Sequence, residues 1–142
     1  MKKLVQQIYK QAHQLGACDK FSGNETLEQL VLLLFSPQGV EFCLTHNFPS
    51  LATMRKFKRY HPERLGVYID CGEITLQEPQ AAFLIGNTTA TVKCQQTARK
   101  RLYLMHGATA HVLAGGFTVV RVEKDVSSQV TMQTSGNAKI LM

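Results

Sequence analysis

The stretch Leu102–Leu113, Leu-Tyr-Leu-Met-His-Gly-Ala-Thr-Ala-His-Val-Leu, constrains the fold more than any other, because near-copies of it stand on both sides in the same chain. Leu102 and Leu104 fall on one face. After His106-Gly107 the alternation restarts with Ala108, Ala110 and Val112. Period two reads as strand, and a break at glycine reads as a corner. Twenty residues earlier, Leu84, Ala90 and Val92 take the places of Leu104, Ala110 and Val112. Eighteen residues later, the segment 120–130 puts Val120, Val122, Val126, Ser128 and Val130 in corresponding places. A further step of 18 adds Ala138 and Ile140. A weaker copy runs from Gly66 to Leu76.

Units of this length, made of short strands and corners, are too small to bury their own apolar faces. Stacked as coils with parallel pairing, they make one continuous core, which is a β-solenoid. The expected inward columns are Leu84, Leu104, Val122 and Ile140, and Val92, Val112 and Val130. The corners fall at Gly86, Gly107, Gly115 and Gly116. An antiparallel meander is the competing reading, but the strong hairpin dipeptides Asn-Gly and Asp-Gly are absent. In this rhythm of Leu84, Leu104 and Val122 and of Val92, Val112 and Val130, the part from Gly66 onward resembles the short β-helical domains of bacteria, including the bactofilin type. The left-handed hexapeptide pattern is not met: six residues after Ile85 stands Thr91, and six after Ile69 stands Thr75. Hexapeptide acyltransferase chemistry is therefore not expected.

Before Gly66 the rhythm is helical. Leu4, Val5, Ile8, Tyr9, Ala12 and Leu15 share a face, and Gly16 stops that run. Thr26 with Gln29 makes a capping box for a helix over Leu27–Phe35, which is apolar nearly all round and so expected at the centre of the helical part. Ser36-Pro37 starts the next helix, and Asn47-Phe48-Pro49 ends it. Ser50 caps a fourth helix, expected to run to Tyr60 before His61-Pro62. The fold class is thus α+β: a helical head over residues 1–65, acting as a cap, followed over 66–142 by a short parallel β-solenoid of about four coils.

Composition narrows function by exclusion. The 142 residues are 18% charged and 44% hydrophobic, with no run of about 20 apolar residues, so neither a disordered chain nor a membrane span is expected. The opening Met1–Lys10 is basic, then polar, and lacks the apolar core of a signal peptide, so a cytosolic bacterial or phage setting is expected. There Cys18, Cys43, Cys71 and Cys94 stay reduced. None forms a C-x-x-C pair, and Cys43 with His46 has no second pair, so no metal is expected. No cofactor fingerprint appears, and neither His106 nor His111 has a carboxylate or nucleophile recurring beside it.

Four surfaces remain. The formal charge is +6, and Arg55, Lys56, Lys58, Arg59 and Arg64 cluster around Phe57 and Tyr60 behind a helix-turn-helix outline; this is the nucleic-acid reading. Arg99-Lys100-Arg101 is expected in a corner. Phe83, Tyr103, Arg121 and Lys139 are expected to stack as one outward column. Val130, Met132 and Ile140 are expected at an uncovered last coil, where two copies meet end to end. The leading function is a non-enzymatic scaffold or protein-interaction module that self-associates. Nucleic-acid binding through residues 50–64 is the alternative. A carbohydrate-active β-helix using Glu123 and Asp125 is weaker still.

Overall fold

The structure, a computed structural model, describes residues 1–17 and 19–142. Cys18 and its expected reduced state lie outside the described residues. The chain divides into two compact units, Met1–Tyr60 and His61–Met142.

In the first unit the described residues form four α-helices: α1 (Lys2–Gln14), α2 (Leu27–Phe35), α3 (Pro37–His46) and α4 (Leu51–Arg55). α1 buries Val5, Ile8 and Ala12 along one stripe, while Leu15, beyond its end, is 42% exposed. The capping box of α2 forms as its residues require. The Gln29 N–H donates to Thr26 Oγ1 at 3.2 Å, and the Thr26 N–H donates to Gln29 Oε1 at 2.9 Å. α2 is not the central helix its composition suggested. Only its Leu27–Val31 side is buried, and Leu32 is 74% exposed. Ser36 caps α3 through the Gly39 N–H, with Pro37 in the first turn.

α4 stops five residues short of the expected end at Tyr60. The Phe57 N–H bonds to the Met54 carbonyl and the Tyr60 N–H to the Phe57 carbonyl, so the chain tightens into a 3-10 turn over Lys58–Tyr60. Arg55 would face Lys58 and Arg59 at i,i+3 and i,i+4 in a continuous helix, and like charges at those spacings oppose it.

The second unit opens with a 3-10 turn, Pro62–Leu65, and continues as strands β1 (Val67–Ile69), β2 (Gly72–Gln77), β3 (Ala81–Ile85), β4 (Thr88–Cys94), β5 (Arg99–Met105), β6 (Thr109–Ala114), β7 (Val119–Lys124), β8 (Gln129–Thr134) and β9 (Lys139–Leu141). Odd strands make one sheet, β1-β3-β5-β7-β9, and even strands the other, β2-β4-β6-β8. All pairings are parallel. This is a β-solenoid of about four turns with two strands per turn. Its core lies between the sheets, where Leu84, Leu102, Leu104, Val120 and Val122 meet Ala90, Val92, Ala110 and Val112.

The register confirms Leu84 beside Leu104, Ala90 beside Ala110 and Val92 beside Val112. It corrects the later steps. Val122 pairs with Leu102 rather than following Leu104, Val120 pairs with Ile140, and Met132, not Val130, lies beside Val112. The step there is 20 residues, not 18. A slip of two keeps every side chain on its own face, so alternation alone does not separate the two registers. The correction moves Val126 out of the core. Ser128 is buried in its place, and Val126 stands fully exposed in the corner.

The corners decide the step. Gly116 (φ 60) and Gly136 (φ 60) stack 20 residues apart, and a Cβ on Gly116 would come within 2.7 Å of the Gln95 carbonyl oxygen. Carboxylates tie the corners of neighbouring coils together. Asp70 Oδ1 accepts from the Asn87 N–H at 2.7 Å, Glu78 from the N–H groups of Gln95 and Gln96, and Asp125 Oδ2 from the His106 N–H at 2.8 Å. Asp125 Oδ1 also takes the Ser127 and Ser128 hydroxyls and the Ser128 N–H.

Burial pushes the Asp125 pKa up, but the His106 N–H, with Ser128 and Ser127, outweighs it and holds the carboxyl below its ordinary 3.8. With the folded pKa below the unfolded one, this stabilisation is complete above the unfolded value and is lost as pH falls through the folded value. Asp125→Asn is expected to lower the melting temperature at neutral pH, with the gap to wild type closing in acid. Thermal melts across that range check it; a gap independent of pH would show that the charge is not used.

Candidate functional site

The strand pattern leaves the solenoid with two outward faces of different chemistry. On the four-stranded sheet the outward positions are Glu73, Thr89, Thr109 and Gln129 in one row, Thr75, Thr91, His111 and Thr131 in the next, and Gln77, Lys93, Leu113 and Gln133 in the third. His111 Nδ1 lies 2.5 Å from Thr131 Oγ1 across the β6–β8 pair. This face is hydroxyl-rich and nearly neutral.

On the five-stranded sheet the face is basic. In β5 the burial alternates, with Arg99 and Arg101 exposed and Lys100 and Leu102 buried. The Arg-Lys-Arg triplet therefore belongs to a strand, not to the corner expected for it. Arg101 lies in register beside Arg121 of β7, and Arg121 beside Leu141 of β9. Arg99 lies beside Val119, which lies beside Lys139. Arg99, Arg101, Arg121 and Lys139 are exposed. Arg121 Nε donates to Glu123 Oε1 at 3.2 Å.

The column expected from Phe83, Tyr103, Arg121 and Lys139 is not a column. Phe83 and Tyr103 are neighbours, with ring centroids 5.5 Å apart, but the next residue in register is Glu123. Both rings are buried, as are Leu84, Ile85, Leu104 and Met105 beside them. Strands buried on both faces read as continuous apolar runs, and Phe83-Leu84-Ile85 and Leu102–Met105 are such runs. That signal was present in the sequence. Strict alternation, which puts every second residue outward, does not hold across these runs.

Lys100 is the residue that sequence reasoning missed. It points inward at a position that Val120 and Ile140 occupy in the next coils, yet it is 6% exposed. Its Nζ donates to the Glu78 carbonyl oxygen at 3.3 Å, so the ammonium reaches the corner while the stem lies along the core. The Gln95 N–H is the largest influence on the Glu78 carboxyl, and with the Gln96 N–H and the Lys100 charge it holds that group below its ordinary range, against an opposing rise from burial.

The cations of the nucleic-acid reading belong to other elements. Arg55 ends α4, Lys56, Lys58 and Arg59 follow in the tightened turn, and Arg64 belongs to the second unit. The Arg59 guanidinium donates to the Tyr60 hydroxyl at 2.9 Å, with its carbon 4.9 Å from the centre of that ring. A five-residue α4 after a turn through Phe48-Pro49 lacks the length of a recognition helix, so the helix-turn-helix outline is not built.

Among the described residues no three His, Cys, Asp or Glu side chains come together as a metal site. Cys43, Cys71 and Cys94 stand outside any disulfide. Burial pushes the Cys43 pKa up to about 12 and, with the nearby Glu78 charge, raises that of Cys94 against the opposing pull of Lys100. Neither is an activated nucleophile. His106 occupies a corner at φ 59, and its N–H serves Asp125. Asp125 is thereby engaged in corner bonding and Glu123 in its pair with Arg121.

No single helix among the described residues is long and apolar enough to cross a membrane; α2 and α3 together meet that length but bend by 81°. Repeat stacking and parallel pairing define the chain as a two-sheet parallel β-solenoid preceded by helices. Beyond that class, no protein-family model, no curated protein and no solved structure matches it.

Proposed function

We propose that the chain is a non-enzymatic cytosolic scaffold that assembles with itself through the last coil of its solenoid. The observation that carries this reading is the state of the core columns at β8 and β9. Ala110 and Val112 are fully buried in β6, and Val120 is 1% exposed in β7. Their in-register successors Val130 and Ile140 are only half-buried, and Met132 is 50% exposed. Leu141 and Met142 add 50% and 64% exposed apolar side chains beside them.

β8 and β9 are also the outermost strands at this end, each paired to one neighbour. Backbone donors and acceptors in that situation, next to apolar side chains, favour pairing with another strand. Two copies meeting there about a twofold axis would continue the core of each and satisfy both edges. Lys139, beside Ile140, opposes indiscriminate pairing and favours a defined partner geometry.

Sedimentation velocity at micromolar concentration tests this. The wild-type chain is expected to run as a homodimer, and Met132→Lys with Ile140→Lys as a monomer of unchanged fold by circular dichroism. A wild-type monomer, or a dimer untouched by both substitutions, would overturn the proposal.

A further inference from the structure

The two strands of the last coil differ in how they are guarded. Edge strands are ordinarily protected from pairing by charge, proline or a bulge. β9 carries Lys139. β8, Gln-Val-Thr-Met-Gln-Thr, has no charged residue and no proline, and its register with β6 runs unbroken, without a bulge. The Gln129 N–H donates to the Ala108 carbonyl at 3.0 Å and the Ser135 N–H to the Ala114 carbonyl at 2.9 Å. Backbone groups alternate sides along a strand, so Gln129, Thr131 and Gln133 turn theirs toward β6. Val130, Met132 and Thr134 turn theirs to the other edge, where β8 has no neighbouring strand. That edge is open: Thr131, Met132, Gln133 and Thr134 are exposed, and Val130 is half-buried.

We infer that β8 pairs antiparallel with β8 of a second copy, with the twofold axis at Met132, so that two four-stranded sheets become one. This rests on the self-assembly proposed above and fixes its strand and register. A twofold axis at a strand edge makes the pair antiparallel. Opposing Thr131 to the partner's Met132 would set a core side chain against an outward one, so the axis lies on a residue rather than between two. At Met132, Val130 opposes the partner's Thr134, Met132 opposes the partner's Met132, and every edge-facing N–H and C=O of β8 is bonded. With the axis at Thr131 the Thr134 groups would stay unpaired, and with the axis at Gln133 the Val130 groups would. The inner face favours the same register. Met132, 50% exposed beside fully buried Val112, meets its own copy across the axis, and a flexible thioether adapts to a symmetric contact. On the outer face Thr131 opposes the partner's Gln133, and both are neutral. Stacking β8 on the β2 of another copy would be parallel, the weaker pairing, and would run on without closing.

Disulfide trapping tests the register. Thr131 and the partner's Gln133 form a non-hydrogen-bonded pair with Cα atoms about 4.5 Å apart, within disulfide reach. Thr131 lies about 7–8 Å from the partner's Thr131, beyond that reach. Chains carrying Thr131→Cys or Gln133→Cys, both at exposed positions, are mixed in equal amounts and air-oxidised. Tryptic peptide 125–139 contains no native cysteine, so a disulfide joining two copies of it is diagnostic. The link between positions 131 and 133 is expected in the mixture and lost in either variant alone. Sedimentation of the wild type separates the two proposals. A dimer whose mixture gives no such link keeps assembly at the last coil and overturns this register. Like-to-like links in one variant alone would move the axis onto that residue, and filaments in place of dimers would make the contact head-to-tail; either result overturns it as well. A wild-type monomer overturns both proposals.

Discussion

Val112→Asp is expected to unfold the solenoid unit, whereas Thr109→Asp, three residues away on the same strand, leaves it folded. Val112 is fully buried, stacked between Val92 and Met132 at the middle of the core. Its neighbours in the core are aliphatic, with no cation in register to pair with a carboxylate. An uncompensated charge in such a place costs about 3–5 kcal/mol, a large share of a small domain's stability. Protonating the new acid relieves only part of that, because the neutral carboxyl still has no hydrogen-bond partner. Thr109 is half-buried on the outward side, with Thr89 and Gln129 as its in-register neighbours. A carboxylate there stays in water, and its effect is expected within about 0.5 kcal/mol. Thermal melts followed by circular dichroism separate the two outcomes. Equal melting temperatures would mean that the strand is turned over.

Phe83→Ala is the second large effect, and it bears directly on the aromatic pair. Phe83 is fully buried and Tyr103 is 4% exposed, ring against ring across the β3–β5 pair. Truncating a buried phenylalanine removes its transfer energy and leaves a cavity, together about 3–5 kcal/mol. The urea midpoint should fall sharply, whereas Arg121→Ala on the exposed face should shift it little. Were the rings stacked outward in solvent, as alternation alone implies, Phe83→Ala would be almost silent. A small shift for Phe83→Ala would therefore return the pair to the surface.

Local chemistry was readable wherever one residue's own requirement settles the matter. Thr26 and Gln29 form the capping box that their spacing calls for, and Ser36-Pro37 and Ser50 begin helices where they should. Pro62 disfavours right-handed helical geometry before it, and His61 stands outside that region, although at the left-handed φ 54 and not in extended backbone. Parallel stacking was readable too, because Leu84, Ala90 and Val92 repeat as Leu104, Ala110 and Val112 at one spacing. The conclusions that rest on an 18-residue step after Val112 do not hold. The choice between 18 and 20 residues leaves apolar residues facing inward either way, yet it decides whether Arg121 neighbours Tyr103 or Arg101. The candidate basic face exists only in the second register.

The sequence by itself thus determined the class of elements, their order, their parallel repetition and the caps that start the helices, since each follows from period, propensity or a local hydrogen bond. The tertiary structure decided which strands are buried on both faces, how far α4 continues, why Lys100 lies inward, and which cations become neighbours. The register between coils, and with it the neighbours of each cation, depends on corners closing against one another. Gly116 under Gly136 and Asp125 on the His106 N–H are contacts between residues about 20 apart in the chain, and no pattern within one coil encodes them.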